Sequence, residues 1–389
     1  MTERRIDADA CVLCGACRAV CPVFQQTKNE VDVARGRIAR VKHAAQMSRY
    51  TAHDKEALSL CLLCGRCTEV CKAQLDVPAI MQQARRESGY AGGLVELVVD
   101  RILTDPNRLG QTAKRMTKLA QWLRRLPDDS GLRRRLAPDY LAAGRLAPNP
   151  PARSYLEETM GRTAAGAHRV ALFTGCGVGW LLPEIGPAVD RLLARLDLVA
   201  AVPEQACCGL PAWGIGADGA VEKTAAAFSR SFGADDFEVV LSPCASCTAH
   251  LQRTHGDASS VEDFFVWLAN QDLSFDLAGK RLAVHVPCHA RRGVRGGDAV
   301  TPLLVRAGAT IVTLPAELDE QCCGMGGTFG ARHTDLSRQI GLPKIRAMLA
   351  AEPDAILTHC TGCLLQLRDL VHCAGSNVPV IHPAVLLAG

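Results

Sequence analysis

Two short runs of cysteine begin at Cys11 and Cys61, and both have the spacing C-x₂-C-x₂-C-x₃-C. The runs read CVLCGACRAVCP and CLLCGRCTEVCK. Three thiolates on one short loop can bind three irons of an iron–sulfur cube, while the fourth, one helical turn further on, points towards a neighbouring cube. Zinc is the alternative, but zinc takes two C-x₂-C pairs around one tetrahedral ion. Two evenly spaced quartets therefore favour two iron–sulfur clusters.

The spacing is that of bacterial two-cluster ferredoxins, in which the fourth cysteine of each run ligates the other cluster. This rule predicts two 4Fe–4S cubane clusters with the following ligands: Cys11, Cys14, Cys17 and Cys71 for cluster one, and Cys61, Cys64, Cys67 and Cys21 for cluster two. The 39 residues between the two runs include a predicted helix over Asp32–Met47 with several arginines. We therefore expect a helical ferredoxin-type domain rather than a miniature ferredoxin.

The C-terminal part of the chain contains the same unit twice. RVALFTGC at 169–176 matches RLAVHVPC at 281–288, and VVLSPCASC at 239–247 matches AILTHCTGC at 355–363. Between these segments, each copy contains a stretch that ends in CCG, at 207–209 and at 322–324. Each copy is roughly 110 residues long, which is the size of a domain.

The elements of each copy have to bring its cysteines together. Apolar, β-branched runs lead directly into a cysteine, and helical patterns lie between them, which is typical of βαβ units around a parallel sheet. Such sheets place their sites in the loops at the carboxyl ends of the strands. The cysteines that end these runs, Cys176, Cys244, Cys288 and Cys360, therefore fall where chemistry is expected.

The predicted fold class is α+β and α/β, with a helical domain followed by two tandem βαβ-type domains. The predicted boundaries are 1–91 for the bis-4Fe–4S ferredoxin-type domain, 92–165 for a basic helical connector, 166–278 for unit one and 279–389 for unit two.

Each unit contributes five cysteines in the same order. They are Cys176, Cys207, Cys208, Cys244 and Cys247 in unit one, and Cys288, Cys322, Cys323, Cys360 and Cys363 in unit two. Neighbouring side chains of an extended strand point apart, so the backbone must turn at each adjacent pair, and Gly209 and Gly324 follow with the freedom to do so. Five thiolates exceed the needs of one zinc ion and suit an iron–sulfur assembly. A structural zinc in one unit and a redox-active C-x₂-C remain alternatives. Only Cys373 is left over, as an idle thiol.

Composition and charge narrow the functional classes. Nineteen cysteines in a 389-residue chain with a polar N-terminus indicate a reducing compartment, so we expect a cytoplasmic protein or one peripheral to the inner face of a membrane.

Residues 101–150 hold eleven Arg and Lys against four Asp. A helix patterned over 112–126, ended by Pro127, could lie on an anionic membrane, but we favour a helix docked on protein with a solvated basic face. No aromatic stacking platform accompanies these charges, which argues against nucleic acid.

The complete pattern, two ferredoxin quartets and then two CCG units, resembles the cysteine-rich-domain (CCG-domain) iron–sulfur proteins. The segment CCGMGGTFGARHTDLSRQI at 322–340 is similar to the glycolate oxidase and lactate-utilisation group in particular, and the order also resembles the heterodisulfide reductase catalytic subunit. In the reductase relatives the five cysteines of a CCG unit hold a noncubane 4Fe–4S cluster. The resemblance therefore implies one or two further clusters in this chain.

The resemblance implies an electron-transfer subunit. A partner FAD-containing 2-hydroxy-acid dehydrogenase would pass electrons through the clusters to a quinone or another carrier. The alternative it implies is a subunit that reduces a disulfide at a noncubane cluster, with an open site beside Cys288 and Cys322. A third possibility is a zinc-stabilised scaffold.

No flavin or nicotinamide site is visible, because the glycines of GCGVG and GMGGTFG lack the dinucleotide spacing. We expect His289 to be satisfied structurally or to hydrogen-bond a cluster sulfur.

Overall fold

The structure is a computed structural model that describes residues 6–124, 153–165, 169–233, 236–256 and 260–389. Its N-terminal part is helical and surrounds the two cysteine runs. Helices and 3₁₀ turns there are Ala8–Ala10, Cys17–Val20, Pro22–Thr27, Glu30–Asp32, Ala34–Gln46, Ala52–Ser59, Arg66–Glu69 and Val77–Glu87.

The helix predicted over Asp32–Met47 is confirmed, with observed bounds Ala34–Gln46. Its apolar face includes Ile38 and Val41, which are buried against the neighbouring helices. The Arg37 side chain on this helix is also buried. Its guanidinium donates to the carbonyl oxygens of Ala57 at 2.9 Å and Leu60 at 2.7 Å. Arg37 therefore holds this helix against the residues that lead into the second cysteine run.

The described part of the connector contains the helices Gly93–Leu103, Pro106–Arg124 and Tyr155–Thr159. It then leaves the helix, and Arg162 and Ala165 form antiparallel bridges with Val202 and Val199 of unit one. Leu109 is buried, and Gly110 lies against the ring of Trp180 in unit one. Further along, Leu119 and Trp122 are exposed. The predicted end of this helix at Leu126 and Pro127 and most of the proline-rich segment 144–154 lie outside the described residues. Within the described ranges, no helix is both long and apolar enough to cross a bilayer.

The two units each contain a parallel sheet, as the β-branched runs predicted. Unit one has β1 (Val170–Leu172), β2 (Val239–Ser242) and β3 (Val261–Asp263), in the order β1-β2-β3. Unit two has β4 (Arg281–Val284), β5 (Thr310–Ile311), β6 (Ala355–Leu357) and β7 (Val380–Ile381), in the order β5-β4-β6-β7. In unit two, β5 pairs with β4. At the equivalent place in unit one, Ala171 of β1 forms a parallel bridge with Ala201. The two copies therefore share one topology.

Helices cover these sheets and bury their aliphatic strands. In unit one they are Gly177–Leu181 (a π-helix), Ile185–Ala194, Leu210–Ile215, Asp218–Ser231, Ala245–His255 and Phe264–Leu268. In unit two they are Cys288–Arg292, Val300–Arg306, Ala316–Asp319, Thr328–Arg332, Thr334–Ala350, Thr361–Cys373 and Pro383–Leu387. The left-over thiol, Cys373, is half-buried at the end of its helix.

The N-terminal helices are fastened to unit two by ion pairs. Arg66, beside the second cysteine run, pairs with Glu320 at 3.2 Å. Arg292 returns the contact by pairing with Glu69 at 2.7 Å. Both arginine side chains are almost fully buried, whereas the carboxylates of Glu320 and Glu69 are more than a third exposed. These ion pairs lie immediately beside the predicted ligands of both parts. They therefore hold the second cysteine run at a fixed distance from the cysteines of unit two.

A second set of contacts fastens the same helices to unit one. The buried Arg85 donates to the carbonyl oxygens of Leu58 and Cys61, both at 2.7 Å, and also to that of Gly214 in unit one. The Arg86 guanidinium pairs with Asp218 at 2.7 Å. The ferredoxin-type part thus lies against both units.

Candidate iron–sulfur sites

The two cysteine runs at the N-terminus adopt the same backbone conformation. Leu13 and Leu63 occupy equivalent positions and both have φ of 55°, the left-handed region that leucine seldom adopts. Such strain persists only where the surroundings impose it, and it is common at binding sites. The repetition of this conformation in both runs fits loops shaped around a bound group.

The four predicted ligands of cluster two line one cavity. Cys21 enters it from the first run, and Cys61, Cys64 and Cys67 enter it from the second. Burial comes first among the causes that raise the pKa of Cys64 to about 12, and the neighbouring thiols Cys322, Cys21 and Cys61 add to it. The grouping of Cys21 with the second run is the arrangement that the ferredoxin rule predicts.

The predicted ligands of cluster one lie nearer the surface. Cys14 is exposed, while Cys11, Cys17 and Cys71 are half-buried and pack against the core of the N-terminal helices. Burial raises the pKa of Cys17, and the charges of Cys21 and Cys11 raise it further. The first run therefore presents one edge of its site to solvent, beside the exposed Val12.

The five cysteines of each unit come together as one chain of contacting sulfurs. In unit one, each thiol hydrogen-bonds the next in the order Cys176, Cys207, Cys208, Cys247 and Cys244. In unit two the order is the same, namely Cys288, Cys322, Cys323, Cys363 and Cys360.

Strand ends and helix starts position these sulfurs. Cys244 follows β2 and caps the helix Ala245–His255, and Cys360 follows β6 and caps the helix Thr361–Cys373. The second cysteine of each C-x₂-C, Cys247 or Cys363, lies one turn into the same helix and is buried. A strand that runs straight into a helix thus aims two sulfurs at one point.

The adjacent cysteines turn as the sequence predicted. Gly209 and Gly324, which follow the two pairs, have φ of 92° and 93°. A Cβ at Gly324 would lie 2.2 Å from the carbonyl oxygen of Ser337, so only glycine fits. The Gly324 N–H lies 3.4 Å from the Cys322 sulfur. The turn therefore directs both sulfurs of the pair inwards.

Contacts between the two units join the two groups of sulfurs. Cys244 of unit one and Cys360 of unit two are hydrogen-bonded. The Ser246 hydroxyl lies 3.0 Å from the Cys360 sulfur and 3.0 Å from His289 Nδ1. His289 is therefore satisfied chiefly by a serine of the other unit, and its Nδ1 is 3.9 Å from the Cys288 sulfur. Sequence alone did not indicate that the two C-x₂-C segments meet.

The predicted ligands of cluster two lie next to unit two. After burial, the charge of Cys322 is the next cause that raises the pKa of Cys64. The hydrogen bond to Cys322 comes first among the causes that raise the pKa of Cys288, and the charge of Cys64 adds to it. The loop after Cys323 packs closely on the second run, because a Cβ at Gly326 would lie 2.5 Å from the Leu62 side chain. The cysteine groups thus follow one another through the molecule.

The electrostatics of the ten thiols fit a bound cationic centre. Hydrogen bonds donated by Cys288 and Cys323 lower the pKa of Cys322 well below its usual value, whereas the bond to Cys322 raises that of Cys323. Close, buried thiols cannot all ionise together without positive charge among them. Because the thiolate is the form that binds metal, a sulfur group of this kind fits iron.

His285 was not among the site residues predicted from the sequence. Its ring lies with the sulfurs of Cys323 and Cys363, and these three ligand atoms are within 4.8 Å of one another. A signal was available, since the repeat RVALFTGC against RLAVHVPC places His285 opposite Phe173. A polar residue in one copy and an apolar one in the other marks a difference between the two sites.

Two family models match the chain. The 4Fe-4S dicluster domain matches residues 7–75, and the cysteine-rich domain matches residues 170–252 and 282–368. A crystal structure of a hypothetical protein from Helicobacter pylori has the same fold, with a TM-score of 0.55 at 10% identity over 96% of this chain and 71% of that one.

Named relatives extend over most of the chain. The glycolate oxidase iron-sulfur subunit of Escherichia coli (strain K12) is 27% identical over 94% of this chain and 92% of that protein. A subunit of the fumarate reductase (CoM/CoB) of Methanothermobacter marburgensis is 24% identical over 97% and 71%. Lactate utilization protein A of Geobacillus kaustophilus is 31% identical over 56% of this chain and 98% of that protein. The chain therefore belongs to the cysteine-rich-domain iron–sulfur proteins, with a 4Fe–4S dicluster domain at its N-terminus and a role in electron transfer.

Proposed function

We propose that this chain is the iron–sulfur subunit of a flavin-dependent complex that oxidises a 2-hydroxy acid such as glycolate or lactate. A partner flavoprotein with FAD would supply the electrons, and a quinone or another carrier would accept them. The observation that carries this proposal is the serial arrangement of four cysteine groups. Cluster one adjoins cluster two, cluster two adjoins unit two, and unit two touches unit one through Cys360 and Cys244.

We assign the predicted ligands to this series. Cluster one takes Cys11, Cys14, Cys17 and Cys71, and cluster two takes Cys61, Cys64, Cys67 and Cys21. Unit one uses Cys176, Cys207, Cys208, Cys244 and Cys247, and unit two uses Cys288, Cys322, Cys323, Cys360 and Cys363. When bound, iron–sulfur clusters accept and release electrons at potentials that hydrogen bonds, burial and nearby charge adjust.

The residues of the chain itself supply position and insulation. Eight of the ten thiols in the two units are buried, and aliphatic strands behind them exclude water. Arg66 and Arg292, with their ion pairs across the contact between cluster two and unit two, hold the sulfurs of neighbouring sites close together. The exposed edge at Cys14 gives a partner access to one end of the series.

The relatives support the choice of partner. One is named as a subunit of glycolate oxidase and another as a lactate utilization protein, and the first aligns with nearly the whole chain. An electron-transfer role beside a separate dehydrogenase accounts for all four cysteine groups.

Iron and sulfide should be measured on anaerobically purified protein, followed by stepwise reduction monitored by EPR. Four 4Fe–4S centres predict roughly sixteen irons per chain. A flavoprotein that oxidises glycolate or lactate should reduce these centres when it is supplied with its substrate, and the same mixture with no hydroxy acid is the control. A folded protein that stays colourless despite ample iron, or one that the substrate-reduced flavoprotein leaves oxidised, would contradict the proposal.

A second candidate function is the reduction of a disulfide at unit two. The observation in its favour is that Cys288 is only half-buried, whereas the other four sulfurs of that unit are buried. One relative is named as part of a fumarate reductase (CoM/CoB). Dithionite-reduced protein should then release two thiols from an added mixed disulfide in proportion to the electrons it loses. The relay proposal predicts no thiol release.

A further inference from the structure

His285 is buried behind the sulfurs of unit two. It follows β4 directly and is 1% exposed. One of its ring nitrogens and the sulfurs of Cys323 and Cys363 lie within 4.8 Å of one another, and the two sulfurs are 3.3 Å apart. Among the described residues, it is the one group of three histidine, cysteine or carboxylate ligand atoms that all lie within 4.8 Å of one another. The ring is therefore a close neighbour of both sulfurs, although no hydrogen bond joins it to either of them in this structure.

The two ring nitrogens of His285 have no hydrogen-bond partner among the residues that the structure describes. Buried polar groups in folded proteins are nearly always hydrogen-bonded, because an unpaired one loses its interaction with water and gains nothing. A neutral imidazole carries one N–H donor. The Cys323 and Cys363 sulfurs are grouped with this ring, so they are the acceptors that its N–H would meet if a cluster were bound there.

Unit one has a different wall at the equivalent place. Phe173 follows β1 just as His285 follows β4. Its ring lies against those of Phe228 and Phe232, with centroids 5.5 and 5.6 Å away. Phe228 belongs to the helix Asp218–Ser231, which follows the CCG turn of unit one. These three rings make this side of the unit one site apolar.

The corresponding helix of unit two places a cation near the same sulfurs. Lys344 lies on the helix Thr334–Ala350, is 1% exposed, and donates to the carbonyl oxygen of Asp319 at 2.6 Å. Its charge interacts with Cys323 and Cys363. Unit two thus combines a donor and a buried positive charge on the side where unit one has phenylalanines.

Unit one has a buried histidine of its own, His250, but in another position. Its ring lies 6.2 Å from that of Trp213, and its Nε2 faces the backbone at Gly209. It does not join two sulfurs in a group of the kind that His285 forms, as far as the described residues extend. The two units therefore differ in the side chain that faces their C-x₂-C sulfurs.

We propose that His285 donates an N–H hydrogen bond to the Cys323 or Cys363 sulfur of the unit two centre, and that this bond makes unit two easier to reduce than unit one. The inference rests on the proposed binding of iron–sulfur clusters in both units. Hydrogen bonds to cluster sulfurs and nearby positive charge stabilise the reduced, more negative state, so both raise the potential. Unit two would then hold an electron in preference to unit one.

The test is a redox titration of the intact, anaerobically purified protein, monitored by EPR. The signal that disappears in Cys322→Ser is assigned to unit two. His285→Phe copies the residue of unit one and should lower the midpoint potential of this signal without changing the iron content. His285→Gln keeps an N–H donor and should return the potential towards that of the wild type. Phe173→Leu, a change of shape in unit one, should leave the unit two potential unchanged.

Each outcome decides between the alternatives. Equal potentials in His285→Phe, His285→Gln and the wild type would overturn the inference, as would a pulsed EPR spectrum with the strong nitrogen coupling of a direct iron ligand. If His285→Phe loses iron, His285→Gln with full iron and a near wild-type potential supports the hydrogen bond, and a fully lowered potential refutes it. A wild type without any unit two signal would instead mean that the proposed function itself fails.

Discussion

Replacement of Gly324 by alanine tests whether the turn after the second cysteine pair shapes the unit two site. Gly324 has φ of 93°, and a Cβ there would lie 2.2 Å from the carbonyl oxygen of Ser337. The left-handed conformation costs a residue with a Cβ about 1–2 kcal/mol. The backbone contact adds an overpacking cost of about 1–3 kcal/mol, since neither side can rotate away. The expected loss is therefore about 2–5 kcal/mol in the free energy of unfolding.

The chain offers a matched control in Gly375. This glycine has φ of 72°, but a Cβ there would meet no atom within 4 Å. Gly375→Ala should therefore lose only the conformational term, about 1–2 kcal/mol. Because Gly324 also carries an N–H beside the Cys322 sulfur, its displacement should disturb the binding of iron, whereas Gly375→Ala should not.

The assay compares urea midpoints and iron per chain in protein purified without air. Gly324→Ala should unfold at a lower urea concentration than Gly375→Ala and lose roughly four irons, the content of one 4Fe–4S centre. The EPR signals of the ferredoxin-type clusters should remain. If Gly324→Ala matched Gly375→Ala in both stability and iron content, the reasoning from the turn would be refuted.

Three further changes test other parts of the structure. Cys21→Ser should remove the EPR signal of cluster two rather than that of cluster one, and loss of the cluster one signal alone would contradict cross-ligation. Burial disfavours the charge of Asp54, but hydrogen bonds from Thr51 and Arg40 outweigh it and lower its pKa. Asp54→Asn should therefore cost about 1 kcal/mol at neutral pH, and its deficit against the wild type in urea unfolding should vanish as acid protonates the folded carboxylate. Arg85→Met should cost about 3 kcal/mol and loosen cluster two, seen as faster bleaching by a chelator, because three carbonyl oxygens lose their donor. A bleaching rate equal to that of the wild type would count against this last prediction.

Most of what could be predicted from the sequence followed from the spacing of residues close together in the chain. A β-branched run that ends in Cys244 or Cys360 marks a strand end, since strand length and sheet edge follow from local patterns. The glycines after the paired cysteines likewise marked turns, because a positive φ is a local requirement. The order of five sulfurs within each unit followed from the repeat. These parts of the site depend on residues close together in the chain.

The relations between units could not be predicted in this way. Cys244 and Cys360 are hydrogen-bonded although more than a hundred residues separate them, and no local pattern encodes that contact. The same is true of His285, which stands three residues before a predicted ligand but contacts two others from distant segments. Its difference from Phe173 was visible in the repeat. What this difference means depends on the helix packed behind each residue, and this is a tertiary property.

The two copies also supply parts of one another. The Ala245 N–H in unit one donates to the carbonyl oxygen of His359 in unit two, and His382 of unit two reaches the carbonyl oxygen of Pro243. A chain cut at the repeat boundary would leave these backbone groups and the adjoining sulfurs bare to solvent and oxygen. The two units can therefore differ in individual side chains, but each depends on the other to complete its fold.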